Sequence, residues 1–154
     1  MELSGTTGPH GAAGLLLTAE GPEPRMLLVL RSAAVTHPHT WSVPAGSLAS
    51  GEHPIEGAIR EAEEELGGLP DFDVLGTVTD AVTATWSFHT VIARVEAATP
   101  VVASGVDAWE LASTRWVTAS SATRLPLHPR LRACWPRLME VVARRHHQFA
   151  LLRL

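Results

Sequence analysis

Apolar residues at Ile55, Ala58, Ile59, Ala62 and Leu66, with Pro54 ahead of them and Gly67 and Gly68 behind, constrain this chain more than any other pattern in it. Projected at about 100° per residue, the five fall on one narrow stripe, which predicts a helix over residues 53–67 laid against a core. Proline suits the first helical position and glycine the C-terminal end. The same segment contains REAEEE, residues 60–65, with four glutamates in six positions. Glu61, Glu64 and Glu65 fall together at i, i+3 and i+4, whereas Glu63 projects to the far side of the stripe.

Like charges at that spacing repel by roughly a few tenths of a kcal/mol per pair, and the negative end of the helix dipole disfavours them further. A solvated acidic face, with Arg60 and Glu64 as an ordinary i, i+4 ion pair, is the plain reading of such a helix. One arginine does not balance three clustered carboxylates, however, and a divalent cation would. An all-oxygen donor set of this kind suits magnesium or manganese.

Around the helix the pattern is that of a mixed α/β chain. GAAGLLLTA (11–19) and MLLVLRS (26–32) are short apolar runs separated by the turn-forming EGPEP, and both read as buried strands. Residues 33–52, with Pro38, Pro44, Gly46 and Gly51, read as a long structured loop of the sort that carries function. FDVLGTVTDAV (72–82) and WSFHTVIARVEA (86–97) read as a hairpin, and STRWVTA (113–119) as a further strand. In the second arm of the hairpin, Trp86, Phe88, Thr90 and Ile92 share one face and Ser87, His89, Val91 and Ala93 the other. Pro129 to Arg145 has helical spacing, with Pro136 as a kink or restart. Residues 1–10 read as a loose arm, and 11–154 as a single domain.

Composition narrows the partners. With 154 residues and 45% hydrophobic content the chain can bury a real core, and a net charge of -4 gives no overall basic field toward nucleic acid or an anionic membrane. A small nucleotide remains a suitable ligand, because it needs only local charge or a metal. No apolar run reaches the roughly 18 residues of a membrane span, and the N-terminus lacks the basic region of a signal peptide, so a soluble cytoplasmic protein is expected. Cys134, the single cysteine, is expected to fill a buried gap.

Gly46, five residues, Glu52, seven residues, then Arg60-Glu61-Ala62-Glu63-Glu64-Glu65-Leu66-Gly67 resembles the Nudix box, GX5EX7REUXEEXGU with U a bulky aliphatic. Seven specified positions agree, a coincidence of roughly 10^-8 at background residue frequencies. Ala62 and Gly68 depart from the two aliphatic positions, and Leu69 is placed to supply the second apolar contact.

That resemblance implies a Nudix-type α/β/α sandwich with a mixed β-sheet and a catalytic loop-helix-loop at residues 44–68. It implies a hydrolase that cleaves the pyrophosphate linkage of a nucleoside diphosphate derivative with Mg2+, or Mn2+, held by Glu61, Glu64, Glu65 and the Ala45 carbonyl. Arg60 would hold the carboxylates in place, and Glu52 would anchor the loop to the helix or support the metal through water. Glu61 and Glu64 within the box, and Glu110 outside it, are the candidate general bases. Arg31, His37 and His39 are candidate substrate contacts, while Trp41 and Trp86 offer aromatic faces for a nucleobase, with core packing as their alternative. The pair His146-His147 lacks the spacing and the cysteine partners of a zinc site. Small size favours nucleoside triphosphates, oxidised ones included; PAG at 44–46 points instead to ADP-ribose or sugar nucleotides, and the lack of proline in 71–99 points away from them. A non-catalytic ligand sensor is the rival from another class, and both monomer and homodimer are compatible with the sequence.

Overall fold

The computed structural model describes residues 8–152. Its elements are β1 (Ala12–Ala19), β2 (Arg25–Arg31), β3 (Trp41–Ser42), β4 (Ala45–Ser47), α1 (Pro54–Leu66), β5 (Asp73–Ala81), β6 (Ser87–Val95), a short 3-10 turn (Ala108–Glu110), β7 (Leu111–Thr118), α2 (Ala119–Ala122) and α3 (Pro129–Leu152). Residues 1–7 of the expected arm lie outside the described residues.

One mixed sheet runs in the order β3-β2-β1-β6-β5, with β4 also beside β1 and β7 beside β2. β1 is buried along its whole length because both of its edges are paired. On one edge it runs parallel to β6, from Ala12 opposite Phe88 to Ala19 opposite Val95. On the other, Thr18 and Ala19 meet β2, while Ala12, Ala13 and Gly14 meet Ser47, Gly46 and Ala45 of β4. A strand so enclosed must have both faces covered, which is why it reads as a continuous apolar run.

Alternate residues feed two cores. Ala13, Leu15 and Leu17 of β1 and Val91 and Ala93 of β6 pack against Ala58, Ala62 and Leu66 of α1. Leu16, Leu28, Phe88 and Ile92 pack against Leu131, Leu138 and Val142 of α3 on the opposite face. The result is the expected α/β/α sandwich. Each fully buried leucine, such as Leu66 at 1% exposure, contributes about 2 kcal/mol to holding its helix down.

α1 begins at Pro54, and His53 caps it by accepting the Ile55 N–H on its ring at 3.1 Å. Gly67, at φ 84°, ends it, and Leu69 packs against the same core as the stripe. Residues 33–52, expected to be loop throughout, contain β3 and β4. Buried backbone needs partners, and these two short strands find theirs on β2 and β1. α3 continues past Arg145 to Leu152, with Pro136 inside it on an exposed position. Its last turns are tied to the sheet: His146 Nε2 lies 2.6 Å from Thr18 Oγ1, and the Arg94 guanidinium lies over the Phe149 ring at 4.0 Å. The Thr18 hydroxyl donates to Ala93 O, so the His146 Nε2–H donates to Thr18, and the buried His146 Nδ1 has no partner among the described residues. No helix among the described residues is long and apolar enough to cross a membrane.

Candidate active site

β4 brings Ala45 and Gly46 alongside α1, and the box closes on itself through Arg60. The guanidinium donates to Glu52 Oε2 from Nε at 2.8 Å and to Oε1 from Nη2 at 2.9 Å, to Glu61 at 2.9 Å, to Glu64 at 3.2 Å and to the Ser47 carbonyl at 2.9 Å. Glu52 also accepts the Ala49 N–H, which fixes loop to helix. Bonds from Arg60 hold the Glu52 carboxyl down at about 2, and the Arg60 charge is correspondingly secured.

The carboxylates facing the sheet are in the opposite condition. Glu65, 3% exposed, accepts the Ala45 N–H at 3.0 Å. Burial, then the neighbouring charges of Glu110 and Glu61, push its acid well above the ordinary range. Burial likewise raises Glu61 to about 7 against the pull of Arg60. A Cβ on Gly46 would collide with the Glu61 carboxyl, so this glycine leaves the space the carboxylate occupies. Glu110, in the 3-10 turn, is raised by burial and by Asp107, and lies within electrostatic reach of Glu61, Glu64 and Glu65.

Among the described residues no three acidic, histidine or cysteine side chains converge on one point as metal ligands. Glu61 and Glu64 are gathered on one atom, Arg60 Nη1, while Glu65 accepts the Ala45 amide. The donor set nevertheless fits a hard divalent cation, since among the described residues Arg60 and Arg31 are the cations that act on Glu52, Glu61, Glu64, Glu65 and Glu110, and burial makes the remaining negative charge costly. Glu63 is exposed.

Beside this group a narrow cleft opens toward the α3 core. Its walls are Arg31, Ser42, Val43, Ala45, Phe88, Thr90, His128, Arg130, Leu131 and Cys134. Arg31 is bound to Thr36 through its O (2.7 Å) and Oγ1 (3.0 Å), and its charge also reaches Glu65 and Glu110. Burial, reinforced by His37, Arg31 and Arg130, lowers His128 to about 4, so its ring is neutral at pH 7. The ring accepts the Arg130 N–H on Nδ1, which leaves Nε2–H as its donor. Thr90 is 1% exposed and its Oγ1 has no partner. Burial lifts the Cys134 thiol to about 11, as befits a space-filling side chain.

The candidate substrate contacts lie in different surroundings. Trp41 is 6% exposed within the α3-side core, with the Arg115 guanidinium 5.1 Å from its ring, so it offers no face to a base. Trp86 is half-buried, donates to Gly8 O at 2.6 Å, lies under Arg130 at 4.8 Å and does not line the cleft. His39 is exposed at φ 60° and contributes only its N–H, to Arg31 O at 2.9 Å. His37 reaches the cleft's margin by contact with His128, ring centres 4.4 Å apart. Thr90, His128 and Arg130 were not singled out in the sequence. The alternation of β6 was the one available signal, since it set Thr90 beside Phe88 on one face.

A family model for the NUDIX domain matches residues 8–138. The chain belongs to the NUDIX domain family. A Mycobacterium tuberculosis protein named "Putative 8-oxo-dGTP diphosphatase 3" is 36% identical to it over 139 residues, 85% of this chain and 62% of that protein. A Bifidobacterium longum protein named "Nucleoside triphosphate pyrophosphatase/Nudix hydrolase fusion protein" is 31% identical over 135 residues, 84% of this chain and 28% of the fusion. This NUDIX chain thus spans less than two thirds of the length of the curated relatives it matches. The crystal structure of a Nudix hydrolase from M. smegmatis, RenU, superposes with a TM-score of 0.77 at 36% identity, covering 92% of both chains. A C. elegans Ap4A hydrolase shares the fold, with a TM-score of 0.67 at 22% identity over 86% of this chain and 98% of that one.

Proposed function

We propose that this chain is a divalent-metal-dependent pyrophosphohydrolase whose favoured substrate is a nucleoside triphosphate, oxidised or not, cleaved to the nucleoside monophosphate and pyrophosphate. One observation carries the reading: the acidic group and the cleft share residues. Ala45 gives its N–H to Glu65 and also lines the cleft, and Arg31 lines the cleft while its charge reaches Glu65 and Glu110. A ligand with its heterocycle in the cleft would therefore have its phosphates beside the carboxylates.

In this reading Glu61, Glu64, Glu65 and the Ala45 carbonyl would hold Mg2+, with Mn2+ as a substitute. When bound, the cation supplies neutralisation of phosphoryl charge and a more acidic water. Arg60 keeps Glu52, Glu61 and Glu64 from splaying into solvent. Glu110 accepts the proton of the attacking water; its raised affinity for protons brings it nearer the working pH than an exposed glutamate. Arg31 and Arg130 draw the anionic chain into place, Phe88 and Leu131 flank the heterocycle, and Thr90 Oγ1 and His128 Nε2–H meet its polar edge. The 36% identity to the M. tuberculosis protein supports the preference for triphosphates.

The test is a magnesium-dependent hydrolysis screen over nucleoside triphosphates, oxidised dGTP, ADP-ribose, sugar nucleotides and dinucleoside polyphosphates, with products identified by mass. Turnover of triphosphates, abolished by Glu64→Gln without loss of fold, is the expected result. Turnover of ADP-ribose or sugar nucleotides alone would overturn the substrate assignment, and tight binding without turnover would make the chain a sensor.

A further inference from the structure

A helix leaves its last four carbonyls without partners inside it. In α1 these belong to Glu63, Glu64, Glu65 and Leu66, and every one of them is closed. Gly67 N–H donates to Glu63 O at 2.8 Å. The other three are closed by one distant loop: Asp107 N–H donates to Glu64 O at 2.7 Å, Gly105 N–H to Glu65 O at 3.3 Å, and Ser104 to Leu66 O from both its N–H (3.3 Å) and its hydroxyl (3.1 Å). That loop runs directly into the turn that carries Glu110. Glu110 N–H donates to Asp107 O at 3.0 Å, and Glu110 O accepts the Ser32 N–H at 2.9 Å, so both ends of the segment are fixed.

Gly105 is where the loop lies tightest. A Cβ there would stand 2.6 Å from Glu63 O and would collide with Glu64 O, both backbone atoms of the helix that cannot swing aside. We propose that Gly105 is a positioning residue: lacking a side chain, it lets residues 104–110 seat on the C-terminal carbonyls of α1 and so sets the distance from Glu110 to Glu61 and Glu65. The proposal rests on the functional reading above, in which Glu110 works at the site. The loop's N–H groups also meet the helix's negative end, where a lysine or arginine would otherwise serve.

The experiment compares wild type, Gly105→Ala, Glu110→Gln and the double variant, measuring kcat and KM on the triphosphate and amide exchange along the chain. Gly105→Ala is expected to lower kcat by about 10- to 100-fold with KM within about twofold, because a displaced group loses rate rather than binding. Exchange should accelerate in residues 104–110 and not in β1 or β6, and the double variant should be no slower than Glu110→Gln. Ser104→Ala, which removes one hydroxyl bond, should shift the same readouts less. An unchanged kcat in Gly105→Ala, a Glu110→Gln variant with full activity, or losses that multiply in the double variant would each overturn the proposal. A wild-type chain that hydrolyses nothing would overturn the functional reading instead, and unaltered exchange at 104–110 in Gly105→Ala would still sink the clamp.

Discussion

On the α1 side of the sheet the working groups are chain neighbours, Glu52 to Glu65, strung along one loop and one helix and gathered by Arg60. On the α3 side they come from Arg31, Thr90 and the pair His128 and Arg130, on three different parts of the chain. The first group is acidic and crowded; the second is basic and wraps an apolar cleft. The contrast separates two tasks, since a cation site needs fixed mutual spacing, which one helix supplies, whereas recognition needs walls that only a folded sheet brings together.

Deleting Arg60, which gathers the carboxylates of α1, should have the largest effect. Arg60→Ala strands Glu52, Glu61 and Glu64 together, and the expected cost is about 2 kcal/mol of stability, discounted because the Arg60 side chain is 37% exposed. Turnover should fall on the order of 10²-fold, and added magnesium should restore the melting temperature before it restores kcat; failure of magnesium to raise it would break the acidic half of the contrast. The cleft should answer differently. Thr90→Val keeps the shape and removes a buried hydroxyl that has no partner, so KM for the favoured substrate should rise about 3- to 10-fold with kcat unchanged, while stability stays level or rises by roughly 1 kcal/mol. A fall in kcat without a change in KM would place Thr90 outside recognition.

The two sides should also titrate with opposite sign in metal-free protein. His128, folded at about 4 and near 6.5 when unfolded, contributes stability that is present above pH 6.5 and lost as pH falls toward 4. Glu61, folded at about 7 and near 4.5 when unfolded, does the reverse: its buried charge costs stability at pH 7, and that cost is relieved as pH falls toward 4.5. His128→Asn should therefore tilt the stability curve toward acid and Glu61→Gln toward neutrality, measured by denaturant titration at several pH values. The smallest effect belongs to Glu63→Gln. Glu63 is exposed, and activity should stay within about twofold; a large loss would mean that the acidic side extends around the helix.

These differences follow the limits of what sequence reveals. The stripe of Ile55 to Leu66, the start at Pro54 and the stop at Gly67 were legible because helix geometry acts over a few residues, and the placement of Arg60 beside Glu64 came with it. The alternation of Phe88, Thr90 and Ile92 put them on one face of β6 for the same reason, and the fold sets that face against α3. Trp41 was left between a base contact and the core because an aromatic ring suits both equally; only the packing of Leu16, Met26 and Leu28 around it decides. His128 and Arg130 sit at the start of a helix whose sequence gives no hint that it ends over a cleft. β3 and β4 were hidden because strands of two and three residues carry no period, and their partners lie far away in the chain.

The parallel pairing of β1 with β6 has a consequence for how this molecule comes into being. Glu52, Glu61, Glu64 and Glu65, with β4 and α1, lie in the connection between those two strands, and Glu110 follows β6. The ladder is therefore a late, entropically expensive closure of a long loop, and topology of that kind slows folding. During synthesis the box leaves the ribosome well before Val95, yet α1 has only half of its bed until β6 arrives with Val91 and Ala93. The acidic helix is thus fully seated only when the sheet is complete.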